Sequence, residues 1–188
     1  GCKVGDSYVA RPYAISSAPK AALNKQVAVT VKKCGFFSGY LFDKAVVGDV
    51  FTLGDPSGEF CFEPVKDSKN VLAIAGGSGI TPFYSMAQSI KDGTSDFSMT
   101  ILYGAKTEKD IIFKSELDAL ASDKIKVVYV LSDEKKDGFE HGFISADIIK
   151  KYVSGDFTVM MCGPQAMYSF LDKELKEFNL PLKRVKKE

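Results

Sequence analysis

The sequence predicts an antiparallel, partial β-barrel followed by a doubly wound α/β domain with a parallel sheet. The first observation is that residues 1–66 contain short alternating segments, Gly and Pro turns and no helical period, which favours antiparallel strands. The second is that, after the polar segment "KDSKN", long apolar runs alternate with amphipathic stretches over residues 67–188. This alternation is typical of a parallel sheet covered by helices on both faces.

Three segments predict the strands of the β half. The segment "QVAVTVK" (26–32) alternates strictly, so its valines lie on one face of a strand. The segments "DVFTL" (49–53) and "EFCFEP" (59–64) are short apolar stretches separated by the turn cluster "GDPSG". We expect antiparallel strands at all three.

Four apolar runs predict the strands of the parallel sheet, at residues 71–75, 99–104, 126–132 and 157–162. Between and after these runs, apolar residues recur with the i, i+3, i+4, i+7 spacing of a helix that buries one face. The residues with this spacing in three predicted helices are Phe83, Met86, Ala87, Ile90, Phe113, Leu117, Leu120, Met167, Leu171, Leu175 and Phe178.

Composition and charge exclude several classes of protein. With 25 basic and 24 acidic residues, the net charge of +1 gives no electrostatic argument for nucleic-acid or membrane binding. No apolar run approaches the length of a membrane span. The four cysteines form no Cys-x-x-Cys pair and His141 is the only histidine, so we expect no metal site within this chain. Scattered lone cysteines favour a reducing compartment, and we expect the cytoplasm.

The stretch "LAIAGGSGITPF" predicts an anion-binding turn at the carboxyl end of the first parallel strand. Gly76, Gly77 and Gly79 permit positive φ and a close approach of backbone to a ligand. Thr81 suits the N-cap of the following helix, and Pro82 suits its first position. The free N–H groups at that helix end attract phosphate. The alternative is a glycine-rich turn that binds nothing.

Two further motifs carry groups suited to a cofactor. In "MMCGPQAM", Cys162 ends the fourth parallel strand and precedes Gly163 and Pro164, at the same sheet edge as the glycine turn. Such a cysteine is more often an inert small hydrophobe. In "RPYAISSAP", Arg11 and Tyr13 lie on one face of an extended segment and offer a phosphate fork and a flat ring. A surface Arg beside a half-buried Tyr is the plainer interpretation of that pair.

Six motifs in this order resemble the ferredoxin–NADP+ reductase superfamily of flavin-dependent oxidoreductases: "RPYAISS", "GFFSGYL", "GDPSGEF", "GGSGITPF", "LYGAKTEKDIIF" and "CGPQAM". The resemblance covers nearly the whole chain. It implies a flavin-binding β-barrel domain over 1–66, incomplete at its start, and a Rossmann-like NAD(P)-binding domain over 67–188.

The resemblance also implies site residues. Arg11 corresponds to the arginine on the flavin phosphate, Tyr13 to the aromatic packed on the isoalloxazine, and Thr81 and Cys162 to groups near the hydride path, so Tyr13, Thr81 and Cys162 are the candidate catalytic residues. The implied cofactor-binding residues are Arg11, Tyr13, Ala14, Ile15, Ser16, Gly35, Ser38, Gly76, Gly77, Gly79, Ile80, Thr81, Pro82, Lys106, Ser132, Asp133, Cys162, Gly163 and Pro164.

Two departures from the family pattern affect the expected chemistry. Ala14 stands where the family usually has Ser or Thr close to the reactive flavin nitrogen. The Arg-x-Tyr segment also begins unusually early, and "GCKVGDSYVA" resembles the tail of one strand and a loop. We therefore expect these residues to hold flavin weakly and to expose strand edges on which a homodimer could form.

The expected function is that of an NAD(P)H-dependent flavoprotein reductase that uses FAD, with FMN less favoured. Asp133 and Glu134 follow Ser132 and suit a ribose hydroxyl rather than a phosphate, which favours NADH, whereas Lys106 favours NADPH. The expected partner is a redox acceptor protein or domain, for example one with a 2Fe–2S cluster. The alternatives are a direct dehydrogenase and a non-catalytic nucleotide-binding or electron-relay subunit of a larger complex.

Overall fold

The computed structural model describes residues 1–188 as a two-stranded antiparallel sheet and a six-stranded parallel sheet with flanking helices. The small sheet is a hairpin of β1 (Cys2–Val4) and β2 (Ser7–Val9), whose turn uses Gly5 at a φ of 60°. The segment "GCKVGDSYVA", expected as one strand tail and a loop, is therefore two short paired strands. A 3-10 helix (Pro19–Asn24) and helix α1 (Phe36–Lys44) follow.

The large sheet has the strand order β6-β5-β4-β3-β7-β8, and every neighbouring pair is parallel. The four predicted strands are confirmed as β3, β4, β5 and β7, and two short edge strands complete the sheet. The strands are β3 (Asn70–Gly76), β4 (Ser98–Ala105), β5 (Ile125–Leu131), β6 (Glu140–His141), β7 (Thr158–Cys162) and β8 (Val185–Lys187).

Helices cover both faces of this sheet. The three helices predicted from apolar spacing are confirmed, and one further helix lies between β6 and β7. They are α2 (Thr81–Lys91), α3 (Lys114–Leu120), α4 (Ala146–Tyr152) and α5 (Gln165–Glu174). Alternate residues of β3 point to opposite faces, so Val71 joins the core under α2 and α3, while Leu72 joins the core under α4 and α5. Burial on both faces explains why these strands are continuous apolar runs.

The parallel arrangement places the carboxyl ends of the central strands at one edge of the sheet. The registers pair Gly76 of β3 with Gly104 of β4, and Ala75 with Cys162 of β7. Ala105 of β4 pairs with Leu131 of β5. Ligands of open parallel sheets bind at this edge, so the loops that follow these strands are the candidate site.

The strands expected at 26–32, 49–53 and 59–64 are absent. A strand needs a hydrogen-bonded neighbour along its length, and the first segment forms one isolated bridge, between Ile15 and Val29. The other two segments enter no ladder in the sheets that form. The same half also contains α1, although no helix was expected there. The predicted antiparallel barrel is thus represented by the hairpin, the bridge and extended backbone. No helix of the structure has the length and apolarity needed to cross a membrane.

Candidate functional site

The glycine turn after β3 is a short 3-10 helix (Gly77–Ile80) that runs directly into α2. Gly77 has a φ of 54°, which glycine adopts without strain. Gly79 is required for a different reason: a Cβ there would lie 2.0 Å from the carbonyl oxygen of Cys162. The turn therefore packs its backbone against the end of β7, which joins the two motifs predicted to share this edge.

Thr81 and Pro82 begin α2, but not as the N-cap pair expected from the sequence. The N-cap is Ile80, and Thr81 is the first helical residue with Pro82 in the first turn. The Thr81 hydroxyl donates to the Ser78 carbonyl at 3.1 Å, so it closes the turn instead of capping the helix. Both side chains are buried, as is that of Ile80. The half-buried Gly77 and Ser78 are the part of the turn that remains accessible to a ligand. The first N–H groups of a helix have no partner within that helix and are free to bind a ligand.

Tyr103, a buried residue of β4, is hydrogen-bonded to the backbone of this turn. The Tyr103 hydroxyl donates to the Gly77 carbonyl at 2.9 Å and accepts from the Ile112 N–H at 3.1 Å. Burial raises the pKa of Tyr103 to about 12, so the hydroxyl keeps its proton and can donate. Sequence reasoning missed Tyr103. The signal was a tyrosine inside an apolar strand, because its polar tip needs a partner when buried.

Cys162 and Gly163 form the second turn at the edge, as predicted. Burial, with the nearby Glu188 carboxylate, raises the pKa of the Cys162 thiol to about 11, so it is a neutral thiol and not an activated nucleophile. The Gly163 N–H donates to the Tyr168 hydroxyl at 3.0 Å, and that hydroxyl donates to the Glu188 carbonyl at 3.0 Å. Tyr168 is thus a second residue that sequence reasoning missed, although Met167 beside it was assigned to the helix.

The loops after β4 and β5 bring Lys106, Ser132 and Asp133 together. The Ser132 N–H donates to the Ala105 carbonyl and the Asp133 N–H to the Lys106 carbonyl, each at 3.0 Å. The Ser132 hydroxyl donates to the Asp133 carboxylate at 2.5 Å. Lys106 and Asp133 are both exposed, so this corner presents one cation and one carboxylate to a ligand.

A second cradle lies in the first half of the chain, where four residues predicted from two separate motifs share one cavity of about 480 Å³. These residues are Arg11, Tyr13, Gly35 and Ser38. The Tyr13 ring stacks on Phe37 with centroids 6.5 Å apart and planes at 28°. The Ser38 hydroxyl is buried and bonds within the turn, accepting from the Cys34 N–H at 2.7 Å.

This cavity is lined by groups that suit a phosphate and an aromatic ring. Arg11 is exposed, and one guanidinium nitrogen donates to the neighbouring Ala10 carbonyl at 2.7 Å, which leaves its other N–H groups free for a phosphate. Gly35 is the N-cap of α1, and it lines the cavity together with the first three residues of that nine-residue helix, so the positive end of the helix dipole lies beside the cavity. An aromatic ring, a cation and a helix N-terminus in one cavity fit a ring and its phosphate.

Three of the predicted flavin residues do not line this cavity: Ala14, Ile15 and Ser16. Ile15 forms the bridge to Val29. The Ser16 hydroxyl is buried and donates to the Ala28 carbonyl at 3.3 Å, so it stabilises the pairing of two segments at that bridge.

Hydrogen bonds connect this half of the chain to α2. The Ser85 hydroxyl donates to the Ser17 carbonyl at 2.7 Å, and the Gln88 amide donates to the Ser16 carbonyl at 2.9 Å. The helix that begins at the glycine turn therefore also anchors the segment that follows Arg11 and Tyr13.

The family model of the oxidoreductase NAD-binding domain matches residues 73–173, which include the glycine turn, both edge loops and the Cys162 turn. The chain belongs to this family. This match confirms the family that the motifs predict. Solved structures of ferredoxin–NADP+ reductases confirm the fold.

Curated relatives match over different lengths. NADH-cytochrome b5 reductase 1 of Dictyostelium discoideum is 34% identical over a 171-residue alignment that covers 87% of this chain and 59% of that protein. Nitrate reductase [NADH] 1 of Nicotiana tabacum is 40% identical over a 114-residue alignment that covers 56% of this chain and 13% of that protein. The chain thus spans less than two thirds of these relatives.

Solved structures share the fold at low identity. A ferredoxin NADP+ reductase from Neisseria gonorrhoeae with bound FAD and NADP has a TM-score of 0.78 at 21% identity, covering 99% of this chain and 82% of that one. The FAD/NAD binding domain of nitric oxide dioxygenase from Vibrio cholerae has a TM-score of 0.77 at 22% identity, covering 95% and 76%. The chain therefore shares with these two proteins the fold in which a partial barrel is followed by a parallel α/β sheet.

Proposed function

We propose that this protein is an NAD(P)H-dependent flavoprotein reductase that uses FAD. The observation that carries the proposal is the position of α2, which begins at the glycine turn and is hydrogen-bonded to the segment after Arg11 and Tyr13. One helix thus joins a dinucleotide cradle to a flavin cradle. The family match and the names of the NADH-dependent relatives support the same conclusion.

In this proposal the chain's own residues bind and orient rather than react. The turn at Gly77 and the first turn of α2 hold the dinucleotide pyrophosphate through backbone N–H groups. Arg11 and the N-terminus of α1 hold the flavin phosphate, and Tyr13 packs on the flavin ring. When bound, flavin supplies a hydride acceptor for the reduced nicotinamide and passes electrons on to an acceptor.

Two predicted catalytic residues have supporting tasks in this proposal. Thr81 closes the glycine turn through its bond to the Ser78 carbonyl, so it sets where the nicotinamide end of the dinucleotide lies. Cys162 is a neutral, half-buried thiol at the edge that excludes water from the ring contact. Neither residue needs to transfer a proton, which agrees with the single histidine of the chain.

The test is anaerobic stopped-flow mixing of the chain, supplied with FAD, against NADH. The flavin absorbance band should be lost, and Thr81→Val should slow the loss by about tenfold, since one hydrogen bond that aligns the turn is removed. Thr100→Val is the matched control. Thr100 is also a buried threonine, but it lies near the amino end of β4, at the opposite end of the strand from the glycine turn. Bound flavin that neither NADH nor NADPH reduces would contradict the proposal.

We propose NADH as the preferred donor. Asp133 is exposed at the end of β5, where its carboxylate suits a ribose hydroxyl and repels a 2′-phosphate. Lys106 lies beside it and attracts phosphate, so Asp133→Ser should raise the kcat/KM for NADPH while Lys106→Met should lower it. A wild-type kcat/KM for NADPH equal to or above that for NADH would overturn this preference.

The acceptor is proposed to be a redox protein or domain. Cytochrome b5 is the acceptor named in the first relative, and a 2Fe–2S protein stays a second prediction. The domain boundary at residue 66, a homodimer through open strand edges and a cytoplasmic location also stay predictions. Four free cysteines support a reducing compartment.

A further inference from the structure

Tyr103 occupies an unusual position for a side chain at a nucleotide-binding edge. It is fully buried in β4, two residues before that strand ends at Ala105, and its ring belongs to the core under α2 and α3. Its hydroxyl nevertheless reaches the carbonyl of Gly77, 26 residues earlier in the chain, at 2.9 Å. No other side chain donates to the backbone carbonyl of Gly77.

The hydrogen bond from Tyr103 to the Gly77 carbonyl also determines the direction of the Ser78 N–H. In a trans peptide the C=O and the N–H point in opposite directions, and the chain contains no cis peptide. Because the Gly77 carbonyl points inward to Tyr103, the N–H of Ser78 points away from the core. Gly77 has a φ of 54°, and glycine offers no steric barrier against other orientations. The tyrosine therefore adds a side-chain contact to the 3-10 turn that stabilises the observed orientation among those that the glycine permits.

The same hydroxyl also accepts from the Ile112 N–H at 3.1 Å. Ile112 lies in the loop after β4, between Lys106 and Phe113, whose ring stacks on Tyr84 of α2 with centroids 4.3 Å apart. One hydroxyl thus joins the glycine turn to the loop that presents Lys106. Loss of this group would leave two backbone groups without their partner.

We propose that Tyr103 is a positioning residue for dinucleotide binding, which holds the Gly77–Ser78 peptide so that the Ser78 N–H faces the pyrophosphate. This inference rests on the proposed function. It adds a residue that makes no contact with the ligand and acts through the backbone of the turn.

Tyr129 provides a matched control. It pairs with Tyr103 across β4 and β5, and the two ring centroids are 6.3 Å apart. Its hydroxyl donates to the Asp118 carboxylate of α3 at 2.7 Å and does not reach the glycine turn. Tyr129→Phe therefore removes a buried hydroxyl from the same core without releasing Gly77.

The experiment is calorimetric titration of the full chain with NADH, together with ¹H–¹⁵N spectra of the Ser78 amide. Tyr103→Phe should raise the Kd by about tenfold, whereas Tyr129→Phe should leave it unchanged. NADH should shift the Ser78 amide signal in the wild type and in Tyr129→Phe, and this shift should be lost in Tyr103→Phe. An equal Kd in the wild type and in Tyr103→Phe, or equal losses in both variants, would overturn the inference.

A second measurement needs no variant. In the wild type, NADH should slow hydrogen exchange at the Ile112 N–H, because the ligand stabilises the turn that Tyr103 holds. Unchanged exchange at Ile112 upon NADH binding would also overturn the inference while leaving the proposed function intact. Absence of any NADH binding by the wild type would instead overturn the proposed function, and this inference with it.

Discussion

Residues 1–66 and residues 67–188 carry their predicted sites in different ways. The first segment contains 3 of the 43 buried residues, namely Ser16, Phe37 and Ser38, and 13 of the 16 exposed large apolar side chains. The second segment contains the six-stranded sheet and both apolar cores. The two segments are joined by hydrogen bonds to α2 and, near the end of the first segment, by Phe60 and Phe62, which pack against the core under α2 and α3.

The difference shows how each site obtains its geometry. The glycine turn is fixed by packing, since Gly79 lies against the Cys162 carbonyl and Gly77 is held by Tyr103. The Arg11 and Tyr13 cavity is formed by an extended segment and the start of α1, and of its lining residues only Phe37 and Ser38 are buried. We infer that dinucleotide binding is built into the sheet, whereas flavin binding depends on how firmly the first segment is held.

The largest expected effect comes from truncating a core side chain of the second segment. Ile74 is fully buried in β3, so Ile74→Ala should lower the free energy of unfolding by about 2–5 kcal/mol. Val47 in the first segment is fully exposed, and Val47→Ala should change it by less than about 0.5 kcal/mol. Urea denaturation followed by circular dichroism measures both. Similar losses in the two variants would contradict the proposed contrast.

A pair of glycine substitutions gives the next largest effect. Gly79→Ala places a Cβ 2.0 Å from the Cys162 carbonyl oxygen, so backbone must move, at a cost of about 1–3 kcal/mol and with loss of NADH affinity. Gly39 lies within α1 with no atom near its Cβ position, so Gly39→Ala should stabilise the chain by up to about 1 kcal/mol. Thermal unfolding and NADH titration of both variants test this. Wild-type NADH binding by Gly79→Ala would show that the contact does not shape the turn.

Thiol reactivity gives a smaller expected difference between the first segment and the second. Cys34 and Cys61 of the first segment are exposed, whereas Cys162 is half-buried with a pKa raised to about 11 by burial. At pH 8 about one thousandth of Cys162 is thiolate, and this fraction rises about tenfold with each pH unit until pH 11. Iodoacetamide labelling read by peptide mass spectrometry should therefore modify Cys34 and Cys61 first. Labelling of Cys162 at the rate of Cys34 at pH 8 would contradict its burial.

The sequence predicted the second segment better than the first for a physical reason. Strands buried on both faces are continuous apolar runs, so β3, β4, β5 and β7 can be recognised without knowledge of their neighbours. The alternation at 26–32 indicates which face is apolar but not which strand pairs with it, and here only one bridge forms. Alternation is therefore weaker evidence for a strand than a buried run.

The elements that were missed are those fixed by contacts rather than by pattern. Helix α1 has apolar residues on all sides, and its start depends on Gly35 and on the Ser38 hydroxyl. Strand β8 has two lysines in three residues, and Lys186 bonds to the buried Asp67 carboxylate at 2.6 Å. Tyr103 was visible as a polar tip in an apolar strand, but the sequence does not indicate which carbonyl it contacts.

The most direct test is to compare cofactor binding by the full chain and by a fragment of residues 67–188. NADH fluorescence is suited to this titration, because the chain has no tryptophan. If the dinucleotide site is built into the sheet, the fragment should unfold cooperatively and bind NADH with the affinity of the full chain, while binding of FAD is lost. A fragment that is unfolded, or that is folded but does not bind NADH, would contradict the account.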